Sequence, residues 1–149
     1  MASTARNRIH AINLQAQLLA LLKAIPGSSG TVRRSHLSWQ AEFTPTTRSI
    51  TYRVQVSYCP ADRRPQVAVL SPPLTERGEG QPIPHVFPGN RPCLHFGHEW
   101  NGGMWMNQTL VPWISEWLFF YELWLATGTW LGGGHEGSKP RTATESRSD

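Results

Sequence analysis

The sequence predicts a single α+β domain, and three observations carry that prediction. A stretch of helical periodicity lies near the start, two runs of strict apolar/polar alternation follow, and a longer helical stripe lies near the end. The bulk composition allows it: 149 residues suit one domain of common size, and a 39% hydrophobic fraction suffices for a core. Two cysteines, neither in a C-x-x-C pair, exclude a disulfide framework and point to a reducing compartment.

The first element is a helix from about Ala5 to Ile25, with Leu14, Leu18, Leu21 and Ile25 at helical spacing and Pro26-Gly27 as its stop. Gly27 to Gly30 then reads as a short Gly/Ser linker. Leu37, Trp39, Ala41 and Phe43 alternate with polar residues, as do Ile50, Tyr52, Val54, Val56 and Tyr58; each is a half-buried strand. Val67 to Leu70 reads as a third, continuously apolar strand, completing an antiparallel meander. Between Ser71 and Pro92 six of the twelve prolines break any regular structure, while Ile83, Val86, Phe87 and Leu94 argue that the segment is ordered.

The second helix begins after Thr109, its expected cap, and ends at Gly128. Leu110, Trp113, Ile114, Trp117, Leu118, Tyr121, Trp124 and Leu125 keep its stripe. Phe119, Phe120 and Leu123 lie off that stripe, so the helix is either deeply wrapped or carries a surface for self-association or a partner. Pro112, Glu116 and Glu122 interrupt this run as a membrane span, and Leu18 to Leu22 is too short for a signal-peptide core. A cytoplasmic protein without a membrane partner is therefore expected, with a disordered polar tail from Gly137 to Asp149.

The net charge of +4 is unevenly spread: residues 1–64 hold nine Lys/Arg against two acids, and residues 65–149 hold five against eight. The basic half has no dense basic run and no glycine-interleaved aromatic motif, which disfavours nucleic acid and favours an acidic protein partner or a plain solvated face. A small basic nucleic-acid-binding protein remains an alternative, recognisable by strongly salt-dependent binding.

Chemistry concentrates around Cys93, in the run from Pro84 to Trp100 that also holds His85, Asn90, Arg91, His95 and His98. Three readings compete. Cys93 is a buried small hydrophobe; or Cys93, His95 and His98 are metal ligands, in a spacing uncommon for zinc; or Cys93 is a nucleophile whose thiolate the histidines and Arg91 support. Cys59, at a turn edge before Pro60, is expected to be dispensable.

The stretch from His85 through Gly89, Cys93-Leu94, Trp100 and Gly102-Gly103 to the helix after Thr109 resembles the active-site region of ubiquitin-conjugating (E2) enzymes. The order of elements matches the E2 fold: helix, meander, extended active-site segment, crossing helix. Trp113 to Trp117 with Trp130-Leu131-Gly132-Gly133-Gly134-His135 more narrowly resembles the E2 protein of bacterial type II CBASS antiphage systems. The resemblance implies a domain over residues 1–136 and Cys93 as the residue that carries a donor protein as a thioester before transfer to a lysine amine. It implies no cofactor and no metal, an E1-like activating enzyme as partner, and as donor a ubiquitin-like protein or the cGAS-like nucleotidyltransferase of the same system. E2 enzymes commonly dock an E1 through the first helix, where Arg6, Arg8 and Lys23 would meet an acidic surface. The sequence departs from the usual His-Pro-Asn tripeptide: His85-Val86-Phe87 stands in its place. His85 is then a candidate for orienting the thioester and His135, among glycines, for positioning the incoming lysine. The missing asparagine keeps a non-catalytic E2-like adaptor as a further alternative.

Overall fold

The computed structural model of the chain describes residues 9–94 and 100–132. It is an α+β architecture in the order α1 (Leu14–Ala24), β1 (Ser29–Arg33), β2 (His36–Phe43), β3 (Tyr52–Tyr58), β4 (Gln66–Ser71), β5 (Val86–Phe87), β6 (Arg91–Pro92) and α2 (Leu110–Thr127). Strands β1 to β4 form one antiparallel sheet in sequence order, and β5 and β6 pair as a small hairpin.

Helix α1 starts later than its apolar spacing suggests. The Asn13 side chain accepts hydrogen bonds from the amides of Gln15 (2.8 Å) and Ala16 (3.1 Å), which satisfies the first turn and sets the start there. The preceding Ile12 donates its amide to the Gly102 carbonyl (2.8 Å) instead, so residues 9–13 are held outside the helix. Arg6 and Arg8 lie outside the described residues.

The expected linker is also partly a strand. Ser29 and Gly30 open β1, which pairs with β2 through a two-residue turn at Arg34 (φ 50°) and Ser35 (φ 61°). Two left-handed residues give a turn whose twist matches the flanking strands. No large apolar residue other than Val32 marks β1, so alternation could not reveal it. Gly30 is required by close approach: a Cβ there would lie 2.6 Å from the Ser38 carbonyl oxygen and 2.7 Å from Leu18 Cδ1. Helix α1 thus packs Leu18 directly on strand backbone.

Register explains why one face of the sheet is a core. Leu37 opposes Tyr58, Trp39 opposes Val56, Ala41 opposes Val54, and Phe43 opposes Tyr52. Val56 and Val54 in turn oppose Val67 and Val69, and all ten side chains are buried. Burial of each large apolar side chain is worth about 2 kcal/mol. The other face carries Gln40, Glu42, Arg53 and Gln55 toward solvent, as an antiparallel sheet covered on one side allows. β4 departs from the expected buried run: Val67 and Val69 point inward while Leu70 is 42% exposed, because β4 is the last strand and only one of its faces is covered.

Helix α2 closes the core with Leu110, Ile114, Trp117, Leu118, Tyr121 and Trp124. Thr109 precedes it as expected but does not cap it: its hydroxyl donates to the Trp105 carbonyl (2.9 Å). The turn before the helix does that work, with Val111 donating to the Met106 carbonyl (3.2 Å). Gly128 ends the helix in the left-handed conformation (φ 82°), its amide on the Trp124 carbonyl (2.8 Å). Wrapping accounts for most of the apolarity of α2, with Phe119 left 37% exposed. No helix among the described residues is long and apolar enough to cross a membrane.

One buried polar side chain ties the two ends of the chain together. Gln17 is 1% exposed, donates to the Met104 carbonyl and accepts from the Met106 amide, both at 2.9 Å. It fixes α1 against the turn that launches α2.

Candidate active site

The segment after β4 is irregular as its prolines require, except for the hairpin β5–β6, which builds the site. Val86 pairs with Pro92 and Phe87 with Arg91, around a turn in which Gly89 (φ 87°) and Asn90 (φ 58°) are left-handed. Arg91 steadies the turn by donating its Nε to the Pro88 carbonyl (2.8 Å). The Asn90 carbonyl accepts from the Val69 amide (2.9 Å), which docks the hairpin on the outer edge of β4.

Cys93 follows β6 directly, half-buried between the buried Pro92 and Leu94. Its amide donates to the His85 carbonyl (2.9 Å), extending the hairpin by one pair. His85 is itself left-handed (φ 53°), and the same carbonyl accepts the indole Nε1–H of Trp117 (3.0 Å). The His85 ring lies 5.0 Å from that of Trp130, which in turn lies 5.5 Å from Trp117. The thiol-bearing residue is therefore held by a loop whose other strand rests on the aromatic face of α2. Its amide is already committed, so an oxyanion formed at Cys93 must find its donors elsewhere.

Cys93 and His85 are thus brought together through their main chains. His135, His95 and His98 lie outside the described residues, and with the last two lie two of the three ligands of the metal reading. Asn90 contributes its carbonyl to β4, three positions before Cys93. Cys59 sits apart in the β3–β4 turn, its amide and thiol on the Asp62 carboxylate at 3.2 and 3.5 Å. Trp117 is the site residue that periodicity assigns to the core alone. The available signal was chemical, and only partial: a buried indole usually finds an acceptor for its N–H, as Trp117 does, while the buried Nε1 atoms of Trp39, Trp100 and Trp130 have none among the described residues.

A family model described as the type II CBASS E2 protein matches residues 17–137, a span that includes the sheet, the hairpin, Cys93 and α2. The chain belongs to the type II CBASS E2 family. No curated protein matches it. Membership makes this an E2-like protein of bacterial antiviral defence, one that works with other CBASS components. The α+β architecture, with an antiparallel four-stranded sheet and a crossing helix, accords with the E2-like fold expected from the sequence.

Proposed function

We propose that this CBASS E2 carries the C-terminal acyl group of a donor protein as a thioester on Cys93 and passes it to a lysine amine. The observation that carries the reading is the placement of Cys93: a half-buried thiol on a hairpin docked to β4, with its backbone pinned through the His85 carbonyl to Trp117 of α2. A thiolate needs such a fixed, partly accessible position to meet a large acyl donor in one geometry.

The thiolate sulfur attacks the carbonyl of the donor thioester on an E1-like enzyme; the tetrahedral adduct collapses and the E1 thiolate leaves. A lysine amine of the target then attacks the new thioester, Cys93 leaves as thiolate, and the amine proton passes to a base. His135 is the candidate for positioning that lysine, and His85 for orienting the thioester beside its own carbonyl anchor. The donor is the cGAS-like nucleotidyltransferase of the system or a ubiquitin-like protein, and Lys23 on α1 contributes to docking an acidic E1-like surface. A cytoplasmic location follows from this set of partners.

The test is a non-reducing gel of the protein with an E1-like partner, ATP and donor. A thiol-sensitive adduct kept in Cys59→Ala and lost in Cys93→Ala is expected. Absence of any adduct with an active E1-like enzyme and donor would refute the acyl-carrier reading and favour the adaptor.

A further inference from the structure

A cleft of about 390 Å³ lies between the β3–β4 turn and β6, immediately beside the Cys93 segment. Its lining is both basic and apolar: Arg63 and Arg64 come from the turn and Arg91 from β6, together with Phe87, Pro92 and Leu94. Asp62 also lines it, but its carboxylate is engaged by the Cys59 amide and thiol. Among the described residues the one ion pair is Arg53–Glu42, so none of the three cleft arginines is in direct ion-pair contact with a described carboxylate, and with Asp62 counted the lining remains net positive. Phe87, 43% exposed, leaves an apolar ring at the rim.

Two backbone features place the cleft relative to β4 and to the Cys93 segment. The Val69 amide points outward to Asn90, so alternation turns the main-chain groups of Val67, which lines the cleft, toward the same edge. Arg91 and Cys93 are two positions apart on one extended segment, so alternation puts them on one face. A chain laid over Arg91 in this cleft therefore lies beside the segment that bears the thiol.

We propose that this cleft seats an acidic segment of the donor protein, bound by Arg63, Arg64 and Arg91 and by the outward main-chain groups of Val67, the part of the β4 edge that the hairpin leaves open. Main-chain pairing supplies affinity without sequence demand, and the arginines select acidic side chains over basic ones. Alternating apolar residues of the segment would meet Phe87 and Leu94. Assigning the segment to the donor rests on Cys93 being the acyl carrier; peptide binding in the cleft does not.

The probe is a ten-residue peptide alternating glutamate and valine with a free carboxyl terminus, against a lysine–valine counterpart and a ten-nucleotide single-stranded DNA. The full chain is titrated while its amide NMR resonances are followed. The glutamate peptide should shift Val67, Arg91 and Leu94, bind Cys93→Ser as it binds wild type, and lose about tenfold affinity in the Arg63→Glu/Arg64→Glu double variant. Arg48→Glu, which reverses one charge away from the cleft, should leave binding unchanged. Equal affinity in the double variant, shifts confined to other elements, or tighter binding of the lysine peptide or the DNA at these residues would overturn the cleft assignment. Peptide binding together with no thioester adduct on Cys93 leaves the cleft standing and removes the acyl-carrier reading. An adduct formed at the wild-type rate in the double variant overturns the assignment of the segment to the donor.

Discussion

The indole of Trp117 and the amide of Cys93 converge on one acceptor, the His85 carbonyl, at 3.0 and 2.9 Å. Two elements far apart in sequence, a hairpin beside β4 and a helix across the core, thereby share one oxygen.

Trp117→Phe should remove the indole donor while keeping an aromatic ring in the core. We expect a loss of about 2 kcal/mol in urea denaturation, from the missing hydrogen bond and the smaller ring. Thioester formation on Cys93 should also slow, while the reaction of Cys59 with a small thiol reagent stays as in wild type. Unchanged rates at both cysteines would show that the Trp117 contact does not position Cys93.

Gln17→Leu keeps much of the side-chain volume and abolishes both links to the turn before α2. The Met106 amide, donated to Gln17 at 2.9 Å, then stays buried without a partner. A destabilisation of about 2–3 kcal/mol is expected, read as a lower urea midpoint at constant slope. A midpoint within error of wild type would mean that water replaces the carboxamide.

Gly128→Ala tests the end of α2. The left-handed conformation disfavours any Cβ, and this one would lie 2.9 Å from Arg77 Nη1, whose Nε caps the Leu125 carbonyl at 3.1 Å. A cost of about 1–2 kcal/mol follows from the backbone alone. Because Trp130 follows two residues later and packs on His85, tryptophan emission should also shift. Stability equal to wild type would contradict the strained position.

Tyr52 makes stability depend on alkaline pH. Burial first, then the hydrogen bond to the Glu122 carboxylate (2.8 Å) and its charge, and last Tyr121, raise its phenol above the ordinary 10.0. The folded state then binds more protons than the unfolded chain above that value, so stability falls as pH rises beyond about 10. Tyr52→Phe should be less stable than wild type at pH 8 yet lose less between pH 10 and 11, measured by urea unfolding across the range. Parallel losses in both proteins would assign the alkaline instability to other groups.

The sheet was legible because alternation is a local property. Leu37 to Phe43 and Tyr52 to Tyr58 each declare which side is buried, and their register follows once both must present those sides to one core. Helix α2 was legible for the same reason, down to Gly128. β1 and the start of α1 were not: Ser29 and Gly30 have no apolar side chain to show a buried face, and Asn13 competes locally against an apolar spacing that runs on to Ile9.

At the site, the sequence by itself determined that Cys93 sits on a proline-stiffened segment among polar and basic neighbours, and its motifs were enough to point to the E2 family. Only the tertiary structure decided what holds it. Whether the Cys93 amide, the Trp117 indole and the His85 carbonyl meet depends on where α2 crosses relative to the hairpin, and the Asn90–Val69 bond depends on which edge of the sheet is left open. Hydrogen bonds between residues 21 to 32 positions apart leave no periodic trace in a chain, because periodicity records only the side on which each residue faces its own element.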